Sequence, residues 1–148
     1  MKKIIVINGP NLNLLGNRER DIYGKNSLDE IKHLVEKKCK ELSLSCLFCQ
    51  SNNEGDLIDF VQSAVNEFDG IVINPAAFTH TSVALLDALR TVSKPKIEIH
   101  LSNIYTREDY RKKSITSEGV NGLICGFGTL SYILAVEAIN ELINNKYD

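Results

Sequence analysis

The stretch Lys3-Ile4-Ile5-Val6-Ile7, followed at once by Asn8-Gly9-Pro10-Asn11-Leu12-Asn13, decides the fold class. Four β-branched residues in a row favour extended backbone. An unbroken apolar run also marks a strand covered on both faces, as in a parallel sheet sandwiched between helices. Working outward, short apolar runs recur at Leu44–Gln50, Gly70–Asn74, Lys96–His100 and Val120–Cys125, and these are the other predicted strands.

Helical patterns fill the intervals. Ser27-Leu28-Asp29-Glu30 is a capping box, in which the serine accepts from the first turn and the glutamate reaches back. The helix it opens runs to about Leu42, with Ile31, Leu34, Val35 and Lys38 on one side. A second helix is predicted over about Asp56–Phe68, with Leu57, Phe60, Val61, Ala64 and Val65 inward. A third covers about Thr81–Val92, a short one lies near Arg107–Lys112, and the last runs from about Thr129 to Asn144. Strands alternating with helices imply right-handed crossovers and a parallel five-stranded sheet. The expected fold is therefore α/β, a flavodoxin-like three-layer sandwich forming a single domain over residues 1–148.

Composition excludes several classes. A net charge of −2 gives no electrostatic footprint for nucleic acid or an acidic membrane. No apolar run approaches the roughly 20 residues that span a bilayer. The run Ile4–Ile7 is also too short for a signal peptide, so a cytoplasmic location is expected. Cys46 and Cys49 form a C-x-x-C, but on a strand residues three apart point to opposite faces. That spacing holds metal on a turn, not on a strand, and buried reduced thiols are expected instead.

The polar residues gather at one end of the sheet. The first four strands run into Asn8–Asn13, Gln50–Gly55, Asn74–Ser82 and His100–Asn103. Taken singly, each such segment reads equally well as a helix cap or a turn. Together they surround the crevice beyond the carboxyl ends of the strands, where open α/β sheets bind ligands. Amides, hydroxyls and the imidazoles of His80 and His100 suit a small ligand rich in hydroxyl and carboxylate groups. No G-x-G-x-x-G follows the first strand and no Walker lysine is present, which disfavours a nucleotide. Gly126-Phe127-Gly128 reads as close backbone packing before the last helix. The alternation still permits a flavin- or nucleotide-holding module, or a partner-binding domain whose strand-end loops only cap helices.

The segment Gly9-Pro10-Asn11-Leu12-Asn13-Leu14-Leu15-Gly16, with Arg18-Glu19 and Ile22-Tyr23-Gly24, is similar to the signature of type II dehydroquinases. The similarity continues through Glu54-Gly55, Asn74-Pro75, Thr79-His80-Thr81-Ser82 and Asp87-Ala88. It extends to Glu98–Asn103, Arg107-Glu108, Arg111 and Gly126-Phe127-Gly128, nearly the whole chain. Arg20 stands where proline is common, Ala76 and Phe78 replace a more usual glycine and tyrosine, and Leu86 stands where arginine is frequent.

The resemblance implies a lyase of the shikimate pathway, without metal or organic cofactor, that dehydrates 3-dehydroquinate through an enolate to 3-dehydroshikimate. Tyr23 matches the base. A free phenol has a pKa of about 10, and reaching about 7 takes roughly 4 kcal/mol of phenolate stabilisation. Arg18 is the expected source of it. His100 matches the general acid, and Glu98, two positions earlier on the same strand face, orients it or raises its pKa. Asn11 is expected to hold a water or the enolate oxygen. Asn74, His80, Leu101, Ser102 and Arg111 match substrate-binding positions. Asp87 reads plainly as an intrahelical partner of Arg90, whereas the resemblance sends it into a neighbouring subunit's site, within a dodecamer built from trimers. Residues 17–25 are expected to form a mobile lid. His33, beside Lys32, is expected to be a solvated surface residue.

Overall fold

The computed structural model describes residues 1–17 and 19–145. Five parallel strands form one sheet: β1 (Lys2–Asn8), β2 (Leu44–Gln50), β3 (Gly70–Asn74), β4 (Lys96–His100) and β5 (Gly122–Cys125). Their order is β2-β1-β3-β4-β5, the flavodoxin-like arrangement. The helices are α1 (Arg20–Tyr23), α2 (Leu28–Glu41), α3 (Glu54–Glu67), α4 (Val83–Thr91) and α5 (Leu130–Ile143).

The apolar runs are buried because strand side chains alternate between two cores. Ile4 and Val6 join Val72 and Ile99 against α2 and α5, while Ile5 and Ile7 join Ile71 and Ile73 against α3 and α4. Each fully buried isoleucine contributes about 1.5–3 kcal/mol. Cys46 packs with the first core and Cys49 with the second, as strand geometry requires. Burial pushes the Cys49 thiol up to about 12.

Register aligns the ends of the strands. Asn8 pairs with Gln50 on one side and Asn74 on the other, and His100 pairs with Cys125. Gly9 is dictated by a close approach, since a Cβ there would lie 2.5 Å from the Pro75 carbonyl oxygen. Gly126 has φ +95°, and a Cβ there would meet Asn103 at 3.1 Å, which accounts for the glycine after β5.

Several expectations need correction. Leu34 is 42% exposed, and the buried stripe of α2 is Ile31, Val35 and Cys39. Val65 of α3 is likewise exposed. A spacing of four keeps residues on one helix face, and each misplaced residue lies one position off that stripe. The short helix expected near Arg107–Lys112 is the three-residue 3-10 turn Asp109–Arg111, preceded by another at Ile104–Thr106. The predicted strand at Val120 begins at Gly122, after the turn Thr116–Gly119. No ion pair joins Asp87 to Arg90. Elsewhere the boundaries shift by two residues or fewer, and Ser27 caps α2 through the Glu30 N–H at 3.1 Å. His33 is exposed on α2, as expected. Among the described residues no helix is long and apolar enough to cross a membrane.

Candidate active site

A cavity opens beyond the carboxyl ends of β1, β3 and β4. Its empty space, open mouth included, is about 650 Å³.

The floor is a chain of amides tied to one phenol. The Tyr132 hydroxyl, fully buried in α5, donates to Asn8 Oδ1 at 2.6 Å and accepts from Asn74 Nδ2 at 3.0 Å. Asn8 Nδ2 donates to the Cys49 carbonyl at 2.9 Å, and the Ala76 N–H donates to Asn74 Oδ1 at 3.1 Å. Burial pushes the Tyr132 phenol above its ordinary range, against a smaller opposing pull from Asn74, so it remains a neutral hydroxyl. Asn74 therefore spends one amide hydrogen and its oxygen on the floor, and its second amide hydrogen remains for a ligand.

One wall is β4. Glu98 and His100 share a strand face, and His100 Nε2 lies 2.7 Å from Glu98 Oε2. Glu98 is fully buried. Its carboxylate also accepts from Thr79 Oγ1 at 2.8 Å, Ser114 Oγ at 2.9 Å and Thr116 Oγ1 at 2.5 Å. Burial alone would push this carboxyl up. The hydrogen bond and charge of His100, with Thr116 and Thr79, outweigh burial and hold it below the usual carboxylate range. An ionised Glu98 fixes Nε2–H on His100, which leaves Nδ1 as the ring nitrogen for a ligand. His80 Nδ1 donates to the Lys113 carbonyl at 2.7 Å, so its Nε2 is the corresponding free edge.

The rim carries the phenol and the cations. Arg107 Nη1 donates to the Tyr23 hydroxyl at 3.1 Å, and its guanidinium lies 5.3 Å from the ring centroid. The same Nη1 is 3.4 Å from Ser102 Oγ. Arg111 Nε pairs with the Glu108 carboxylate at 3.1 Å. Asn11, in the left-handed region at φ 69°, receives the Asn52 side-chain oxygen on its N–H at 3.0 Å.

Residues 2–140 match the family described as Dehydroquinase class II. The chain belongs to the class II dehydroquinases. Among its relatives is the 3-dehydroquinate dehydratase of Caldicellulosiruptor saccharolyticus, 52% identical over 144 residues, covering 97% of this chain and 99% of the relative. The 3-dehydroquinate dehydratase of Clostridium botulinum strain Okra is 51% identical over 147 residues, covering 99% of this chain and all (100%) of the relative. The crystal structure of a type II dehydroquinase from Butyrivibrio crossotus superposes with a TM-score of 0.92 at 47% identity, covering 94% of this chain and 97% of that one.

In this dehydroquinase, Asn11, Tyr23, Asn74 and His80 all line the cavity. His100, Leu101, Ser102 and Arg111 line it as well. Glu98 is not among the residues that line it and stands behind His100, hydrogen-bonded to its Nε2. Asp87 is exposed on α4 and does not line this chain's cavity. Arg18 lies outside the described residues. Residue-by-residue reading gave no role to Arg107, although its motif was visible and it follows β4 by only seven positions. It also missed the hydroxyls of Thr79, Ser114 and Thr116, and the Asn8–Tyr132 tie. Hydroxyls on a loop carry no periodic signal, and Tyr132 sits inside an apolar helix pattern that reads as core.

Proposed function

We propose that this class II dehydroquinase removes water from 3-dehydroquinate by trans elimination through an enolate, giving 3-dehydroshikimate in the shikimate pathway that feeds aromatic amino acid synthesis. Tyr23, as phenolate, takes the proton from the carbon beside the ketone. Bringing a phenol of pKa about 10 into use near neutrality takes roughly 4 kcal/mol, and a guanidinium hydrogen-bonded to the oxygen is the kind of group that supplies it. Arg107 stands at that oxygen, and by the family resemblance Arg18 joins it. Asn11 holds a water on the developing enolate oxygen. His100, as imidazolium backed by Glu98, gives the Nδ1 proton to the departing hydroxyl.

The remaining groups hold the ring. The backbone amides of Leu101 and Ser102, with the Ser102 hydroxyl and the spare Asn74 amide hydrogen, suit the carboxylate. His80 and Arg111 suit the ring hydroxyls. Residues 17–25 close as a lid, excluding water while the enolate exists. Asp87 completes the site of an adjacent copy, within a dodecamer built from trimers. The reaction runs without metal or organic cofactor, in the cytoplasm.

The observation that carries this reading is the pairing of a guanidinium-bound phenol with a carboxylate-backed imidazole in one cavity. The test is to add 3-dehydroquinate and follow the ultraviolet band of the conjugated enone, which only the product has. Tyr23→Phe is expected to bind substrate normally and lose turnover by at least about 10²-fold. Near-native turnover in that variant overturns the assignment of the base.

A further inference from the structure

The strap from Lys113 to Thr116 supports both histidines of the site. The Lys113 carbonyl accepts from His80, and the Ile115 N–H donates to the Thr79 carbonyl at 2.6 Å. Ser114 and Thr116 donate to Glu98, with Thr79 adding a third hydroxyl from the opposite side. Thr79 and Thr116 are fully buried. None of the three hydroxyls lines the cavity, so none touches a ligand there.

Proton accounting shows what this cage is built to hold. Each hydroxyl has one hydrogen to give, and a carboxylate has about four lone-pair sites. Three hydroxyls and His100 Nε2–H fill the carboxylate's capacity when Glu98 is ionised. Thr79 Oγ1 also lies 2.6 Å from Ser114 Oγ and 2.8 Å from Thr116 Oγ1, so the three hydroxyl hydrogens are shared among contacts to Glu98 and to one another.

We propose that Thr79, Ser114 and Thr116 are positioning residues for His100, holding the Glu98 carboxylate against Nε2 so that it backs the imidazole that serves the leaving hydroxyl. This rests on the reading of His100 as the acid. The other titratable or charged groups lining the cavity are Tyr23 from α1, His80 before α4, and Arg107 and Arg111 from the loop after β4.

Thr116→Val keeps the side-chain shape and removes one donor, and Ser114→Ala removes another at a half-buried position that tolerates truncation. In both variants the carboxylate is freer to turn away from Nε2, and the alkaline limb of kcat is expected to move to lower pH by up to about one unit, the scale of one hydrogen bond to a charge. The imidazole resonances of His100, titrated by NMR, are expected to shift with it. KM is expected to stay within about twofold, and Thr116→Ser to restore the native profile. A uniform loss of kcat at every pH, with the His100 titration unmoved in both variants, overturns the proposal. Retained turnover in His100→Gln overturns instead the reading beneath it, while the NMR titration still reports whether the hydroxyls govern the imidazole.

Discussion

The wall of the cavity formed by β4 and the rim formed by α1 are made in different ways. On the wall, Glu98 and His100 are successive same-face residues of a strand buried along its whole length, and the carboxylate accepts four hydrogen bonds. On the rim, Tyr23 ends a four-residue helix with no buried residue, entered through Glu19 at a left-handed φ of 37°. Its partner Arg107 reaches it from a loop between two 3-10 turns. A strand network holds its geometry whether or not ligand is present. A short helix with few buried contacts opens at low cost. If His100 and Tyr23 serve as the proposed acid and base, the two are placed by different means: His100 by a buried strand, Tyr23 by a short helix on the rim.

The largest expected effect comes from breaking the wall. Glu98→Gln puts an amide among hydroxyl donors and leaves His100 without its counter-charge. Breaking a buried pair this way costs about 3–5 kcal/mol of stability, and turnover is expected to fall by about 10²–10³-fold. The sign with pH follows from linkage. The Glu98 carboxyl is held below its ordinary range in the folded protein, so its stabilising contribution is complete above the unfolded value of about 4.3. It is lost as pH falls through the folded value. Thermal unfolding followed from neutral pH downward is expected to show that loss in the native protein and a flatter profile in Glu98→Gln. Native melting at all pH values in the variant would show that the wall is no stiffer than the rim.

Breaking the rim is expected to cost activity without stability. Arg107→Ala removes a guanidinium from the Tyr23 oxygen, with an expected loss of about 10²-fold in kcat. Its stability change should stay under about 1 kcal/mol, because the residue joins a loop to a short helix and not two core elements. Lysine is not expected to rescue it, since a point charge cannot both donate to the hydroxyl and lie over the ring. The decisive comparison is the ratio of activity loss to stability loss in Arg107→Ala and in Glu98→Gln. Equal ratios would erase the distinction between strand-placed and rim-placed groups.

The same distinction explains what could be read from the sequence. β2, β3 and β4 were legible to the residue: β3 and β4 because a buried strand must be apolar and end at polar residues, and β2, an edge strand only partly buried, from its short apolar run ending at Gln50. His100 and Glu98 were legible as a pair, because strand alternation puts residues two apart on one face. Arg107, Ser114 and Thr116 were not, because they lie on irregular backbone between β4 and β5 where no period relates spacing to direction. Leu34 and Val65 were misplaced because a helical stripe defined by three or four residues leaves its neighbours at the edge undecided. The family resemblance supplied Arg111 and Asp87 from matching positions. It gave no reason for their placement, and in this chain Asp87 stands apart from the cavity.

The smallest expected effect tests whether the wall side also carries strain of its own. Ala76 follows Asn74-Pro75 and has φ 52°, in the left-handed region, at a position where the family more often has glycine. An L-residue there costs about 1–2 kcal/mol. Glycine would remove that cost but lose about 0.5–1 kcal/mol through the greater freedom of the unfolded chain. It would also give up part of a half-buried methyl worth at most about 0.8 kcal/mol. The terms nearly cancel, and Ala76→Gly is expected to be stabilising by less than about 1 kcal/mol, a rise of about 1–3 °C in Tm. Turnover should hold, because the Ala76 N–H that orients Asn74 is a backbone group that glycine retains. A fall in Tm would mean that the Ala76 methyl, packed against the α2–α5 core, outweighs the backbone strain. The departure from glycine would then be a packing choice that stiffens the side of the cavity carrying His80.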